Sequence, residues 1–147
     1  MSIQDEIKKQ TVEAARAKDQ VKLDALRMTN SAIHYKEIEK KGKLEEREVS
    51  QILMTLCKQR RESIEQFQKG GRTDLAAKET RELEILQGFL PKQISREEVE
   101  KIVKRVIGET KAAGPADMGK VIKAVMKEVA GQADGSLISG VVKDLLK

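Results

Sequence analysis

Aromatic side chains are nearly missing from this chain: Tyr35, Phe67 and Phe89 are the only ones, and there is no tryptophan. A core must therefore be assembled from Leu, Ile, Val, Ala and Met, a choice that suits helix packing. Cys57 is the single cysteine, which excludes an internal disulfide and a cysteine-built zinc site and makes a reducing compartment the natural setting. It follows Leu53 and Leu56 on a helical pattern, and the one imidazole, His34, has no reason in sequence to meet it. The thiol is expected to be structural rather than nucleophilic. No apolar run reaches membrane-spanning length and the amino terminus turns charged by Asp5, so neither signal peptide nor anchor is expected and the expected location is cytoplasmic.

Catalytic material is equally scarce. Gly70-Gly71 follows a helical stretch rather than a strand, and Lys69 precedes the glycines, so the spacing of a phosphate-cradling loop is wrong. With one His, one Cys and no nucleophile elbow, no catalytic residue, cofactor or metal site is assigned. Glu79, Glu82 and Glu84 are expected on the solvent side of a helix, as a charged face more readily than a carboxylate metal site.

What the chain does have is charge. Of its 147 residues, 36% are charged, the signs are interspersed, and the net charge is +5. That pattern reads as solvated helix faces carrying i,i+4 pairs. Before Ser95 there are 19 Lys+Arg against 16 Asp+Glu, and from Ser95 onward 10 against 8, so neither half is a basic tail. Such an excess permits a polyanionic partner without requiring one.

Helical periodicity and its punctuation divide the chain. Ser2 and Asp5 form a capping-box-like start to a first helix ending near Lys18. A second runs from about Asp19 to Lys41, with Leu23, Leu26, Ile33 and Tyr35 or Ile38 inward and Gly42 as C-terminal cap. In it Asn30 is expected as a hydrogen-bonded amide and His34 as a satisfied or half-exposed imidazole. A third, from about Glu45 to Lys69, carries Val49, Ile52, Leu53, Leu56, Ile64 and Phe67 and ends at Gly70-Gly71. Thr73-Asp74 is expected to cap a fourth with Leu75, Leu83, Leu86 and Leu90 inward. Pro91 cannot continue that helix and biases Leu90 away from the helical region. Ser95 then restarts the chain in a capping box with Glu98, stapled by Ile94 and Val99. Three shorter helices follow, closed at Gly114-Pro115, at Gly131 and at the carboxyl end. The expectation is an all-α protein: an N-terminal four-helix, bundle-like domain at 1–90 and a small three-helix C-terminal domain at 91–147.

Two basic groupings are candidates for phosphate contact. Lys120, Lys123 and Lys127 recur at helical spacing and are expected to share an exposed stripe beside Lys143. Lys58, Arg60, Arg61 and Arg72, with Lys69, offer a ridge on the first domain, interleaved with Glu62 and Glu65. Arg60 interrupts an apolar stripe, so its stem should lie over apolar surface while its guanidinium reaches a rim or a carboxylate. For both groupings a solvated, internally paired face is the competing reading. Gly119 lies in a helical first turn, where Ala would be more stabilising by up to about 1 kcal/mol; either a second helix or an RNA backbone should approach it, and close helix packing is the expected cause.

Asp117-Met118-Gly119-Lys120-Val121-Ile122-Lys123, then Gly131-Gln132-Ala133-Asp134-Gly135-Ser136 and Val142-Lys143-Asp144-Leu145-Leu146, resemble the signature of the YqeY family. Leu26-Arg27-Met28, Lys58-Gln59-Arg60-Arg61-Glu62-Ser63, Gly71-Arg72-Thr73-Asp74-Leu75 and Phe89-Leu90-Pro91 extend the likeness over nearly the whole chain. That family is similar to the tail domain found in one component of the aspartyl/glutamyl-tRNA amidotransferase, a domain that helps hold tRNA while chemistry proceeds elsewhere. The resemblance implies a non-catalytic tRNA-binding or tRNA–protein adaptor, with tRNA as partner and a protein of the translation or aminoacyl-tRNA machinery as a second. It also implies an alternative, an accessory subunit of a carbon–nitrogen ligase with glutamine as amido-N donor. A helical protein-interaction module, docking through the apolar face of the three-helix tail, stands as a third reading.

Overall fold

The computed structural model describes residues 2–146 and contains seven α-helices and, among the described residues, no strand. It divides into two compact units, Met1–Leu90 and Pro91–Lys147.

The first unit holds α1 (Ile3–Ala17), α2 (Gln20–Lys40), α3 (Glu46–Lys69) and α4 (Thr73–Gln87). Ser2 caps α1 by accepting from the Asp5 N–H, and Asp19 caps α2 by accepting from that of Lys22. Glu45 and Glu48 make a reciprocal capping box on α3. The anticipated Thr73-Asp74 cap does not form. Thr73 is already helical, and the Asp74 carboxylate instead pairs with Arg72. Ile7, Leu26, Ile33, Val49, Leu53, Cys57 and Leu86 close the core. Each such aliphatic burial is worth about 1.5–3 kcal/mol, several times the few tenths that propensity contributes per position.

Gly42 is not the cap of α2. Lys41 takes the left-handed conformation there, at φ 61°, and Lys18 and Lys111 do the same after α1 and α5. Gly71 does supply a positive φ, 74°, in the turn after α3. Neither Tyr35 nor Ile38 takes the inward place expected for one of them: they are 71% and 58% exposed, because Ala25, Leu26, Thr29 and Ile33 already fill the inward side of α2. Asn30 is half-buried and donates to Thr11 Oγ1 at 3.2 Å, whereas His34 is exposed.

The second unit holds α5 (Arg96–Thr110), a single 3-10 turn at Pro115–Asp117, α6 (Met118–Val129) and α7 (Gly135–Leu145). Its core is almost wholly β-branched: Val99, Val103 and Val106 from α5, Val121, Val125 and Val129 from α6, and Ile138, Val141 and Val142 from α7. Valine costs a helix a few tenths of a kcal/mol per residue, well below what its burial returns. Ser95 caps α5 from the Glu98 N–H, and Asp134 caps α7 from that of Ser136. The segment entering α5 is pinned to the α6–α7 turn, with Ile94 N–H donating to Gln132 O at 3.0 Å and Gln93 Nε2 to Gly131 O at 3.0 Å.

Candidate nucleic-acid interface

The lysines of α6 are placed by the same periodicity that buries its valines. At 3.6 residues per turn, positions 120, 123 and 127 fall within about 60° of one another and across the helix from Val121, Val125 and Val129. Lys120, Lys123 and Lys127 are all exposed. Lys143 is likewise exposed on α7, next to the buried Val142.

Pairing separates the lysines of the unit from its arginines. Arg96 bridges Glu100 at 3.1 Å and Asp144 at 3.4 Å, and Arg105 bridges Glu109 and Glu128. Those two carboxylates hold the Arg105 guanidinium above the usual arginine range, with Glu128 the larger influence. Among the described residues, none of Lys120, Lys123, Lys127 and Lys143 makes an ion pair. Four of the unit's eight carboxylates, Glu100, Glu109, Glu128 and Asp144, are thus engaged by its arginines, and the cations left without an ion pair among the described residues are lysines, Lys92, Lys101, Lys104 and Lys111 included.

Gly119 opens this face. A Cβ built there meets nothing within 4 Å, so close helix packing does not explain the residue. The first turn of α6 has no side-chain cap, because the Asp117 carboxylate accepts from the Ala113 N–H instead, at 3.0 Å.

The ridge expected on the first unit is largely dismantled. Arg60 is only 4% exposed, and its Nε stands 3.3 Å from Oε2 of the equally buried Glu82. It cannot reach a phosphate. Arg72 meets Asp74 through both Nε and Nη2 at 3.2 Å, and this hydrogen bonding holds the Asp74 carboxyl below its ordinary value. Lys69 pairs with Glu65 at 3.0 Å. Lys58 and Arg61 alone stay exposed and without an ion pair among the described residues.

Glu82 was expected in solvent beside Glu79 and Glu84. Its burial removes that trio as a carboxylate metal site, and among the described residues no three His, Cys, Asp or Glu side chains converge as a metal would need. The signal was in the spacing: Glu82 falls four residues before Leu86 and seven after Leu75, on the inward row of α4. Cys57 is buried, and desolvation pushes its thiol up against the weaker opposing pull of Arg61 and Arg60, which suits a packing role. The apolar faces of α5, α6 and α7 pack on one another, leaving Leu145, at 37%, as the only large exposed apolar side chain described in this unit.

Comparison with known proteins adds relatives to this geometry. The chain is 33% identical over 141 residues to altered inheritance of mitochondria protein 41 of Kluyveromyces lactis, covering 93% of this chain and 72% of that protein. Against the protein of the same name from Lachancea thermotolerans it is 34% identical, covering 75% of this chain and 60% of the relative. Against that of Saccharomyces cerevisiae strain YJM789 it is 33% identical, covering 80% and 63%. The chain thus spans less than two thirds of the latter two. Each relative is named as mitochondrial, which overturns the cytoplasmic location expected above. Among the described residues no helix is long and apolar enough to cross a membrane, which does not fix a compartment. The Yqey-like protein model matches residues 4–146, and the chain belongs to the YqeY family.

Proposed function

We propose that this protein is a non-catalytic RNA-docking module whose ligand is tRNA, held through the lysine face of α6 with Lys143 of α7. The observation that carries this reading is a division of labour between cations: both arginines of the second unit are engaged by carboxylates, while its exposed lysines are left without ion pairs among the described residues, and Lys120, Lys123 and Lys127 of these share one face of α6. Lysine is a point charge on a flexible stem, suited to phosphate at variable geometry, and each phosphate contact gains from counterion release. The resemblance to the amidotransferase tail supports tRNA as the polyanion. Gly119, open to solvent in the first turn of α6, leaves room for a sugar–phosphate backbone beside Lys120 and Lys123.

Fluorescence anisotropy of the purified protein with total tRNA and with an unrelated structured RNA, at two salt concentrations, tests the proposal. The expected result is salt-sensitive preference for tRNA. The pair Lys120→Ala and Lys123→Ala should weaken binding evenly across tRNAs and flatten the salt slope by up to about two units. Unchanged affinity in that variant would sink the assignment, and glutamine turnover by the protein alone would overturn its non-catalytic part.

A further inference from the structure

Helix α2 carries a second apolar stripe, with Tyr35 and Ile38 on the side away from its core and Met28 at its edge, where the sulfur meets Arg60 Nη2 at 3.8 Å. Met28, Tyr35 and Ile38 are 56%, 71% and 58% exposed, and with the exposed Ser31 they follow the 3-4-3 spacing of a heptad seam. Three large apolar side chains exposed at this spacing form a strip that a partner helix could cover.

The two flanks of this stripe differ. On the side following Ile38, Glu39 is already paired with Lys36 at 3.3 Å. On the other side Arg27 and His34 stand one heptad apart, each just before a seam residue, and Lys41 follows one heptad later at the C-cap. All three are exposed, and none makes an ion pair among the described residues. A basic row therefore borders an apolar seam along one edge.

We infer that this face of α2 docks an amphipathic helix of a second protein, with apolar residues on Met28, Tyr35 and Ile38 and a row of Asp or Glu on Arg27, His34 and Lys41. Charge selects this occupant over two others. An antiparallel second copy would set the basic row against itself, and a parallel copy would bring Glu39 toward His34 but leave Arg27 and Lys41 without a carboxylate. Single-stranded RNA would use the ring of Tyr35 but has no use for Met28 and Ile38 at helix-seam spacing. A seam of four positions spans about 15 Å of helix, which fits a transient partner better than an obligate dimer.

The test uses the whole chain and two designed, fluorescein-labelled three-heptad peptides with Leu on the seam, one flanked by Glu and one by Lys. The Glu-flanked peptide should bind roughly tenfold or more tightly than its Lys twin, the charge reversals Arg27→Glu and Lys41→Glu together should invert that order, and Tyr35→Ser with Ile38→Ser should abolish binding. These positions are exposed, so the circular dichroism of each variant should match the parent, and an altered spectrum would itself count against an outward stripe. Equal binding of the two peptides, no binding of either, displacement of the Glu peptide by oligouridylate, or self-association lost in Tyr35→Ser would each overturn the inference.

Discussion

Nε of Arg60 on α3 and Oε2 of Glu82 on α4 face each other at 3.3 Å inside the first helical unit, both residues more than nine-tenths buried. The approach is too poorly aligned for a hydrogen bond from Nε, although Nη1 reaches Leu56 O at 3.4 Å and Nη2 lies 3.8 Å from the Met28 sulfur. Two charges have been taken out of water for one imperfect contact that ties α2, α3 and α4 together. A pair of this kind is costly to break and cheap to replace. Arg60→Ala alone should destabilise by about 3–5 kcal/mol, since it leaves a cavity and a buried carboxylate without its cation. Arg60→Met combined with Glu82→Leu should cost less than either single change, and urea unfolding of the three variants checks this. Additive losses would mean the two residues do not act as a pair.

The same contact has a pH signature. Desolvation, with a smaller push from Glu79, raises the Glu82 carboxyl above its ordinary value, and Arg60 pulls it back only in part. A carboxyl raised on folding contributes stability that is complete below the unfolded pKa and is lost as pH rises through the folded one. Glu82→Gln should therefore remove a fall in stability that the parent shows between about pH 4.5 and the raised folded value. Without Arg60 the carboxyl moves higher still, so the deficit of Arg60→Met should be larger at pH 7 than at pH 4. Denaturant midpoints at the two pH values decide the matter, and a deficit that does not grow with pH would show that Arg60 does not support the charged form of Glu82.

Much of this architecture was legible because local punctuation and burial agree. Ser2 and Ser95 sit where helices begin and accept the bonds expected of them, and Val99 lies in the core with Ile94 packed against it, as a staple requires. Arg60 was half legible: its place in an apolar stripe announced a carboxylate or a rim, and the carboxylate proved to be Glu82. The failures have one physical origin. A periodic pattern gives an angle on a helix without saying which angle faces the core, so in α2, where apolar residues lie on both sides, the pattern points Tyr35 or Ile38 inward although both are exposed. The acidic neighbours Glu79 and Glu84 suggest solvent for Glu82, whereas its register with Leu75 and Leu86 turns it inward.

Three lysines sit where glycine would be at ease. Lys18, Lys41 and Lys111 have φ of 57°, 61° and 55°, and a side chain in that region costs roughly 1–2 kcal/mol. Lys41→Gly and Lys111→Gly should each raise stability by about 0.5–1 kcal/mol, the gain being trimmed by the greater freedom of glycine in the unfolded chain. Thermal unfolding should show two upward shifts that add, since the positions lie in different units. A downward shift at either would mean the lysine side chain makes a compensating contact.

Gly119 allows folding and recognition to be separated at one atom. It occupies the first turn of α6 with space around it, so Gly119→Ala should stabilise the protein by up to about 1 kcal/mol through helix propensity alone. If a sugar–phosphate backbone lies against this turn, the added methyl should at the same time weaken tRNA binding. The salt slope should stay unchanged, because no charge has been removed. That combination, a higher melting temperature with lower affinity, would locate the docking face more sharply than any lysine substitution, whose effects are spread through a long-range field. Higher stability with unaltered affinity would place the RNA elsewhere on the second unit and leave the glycine without a recognition role.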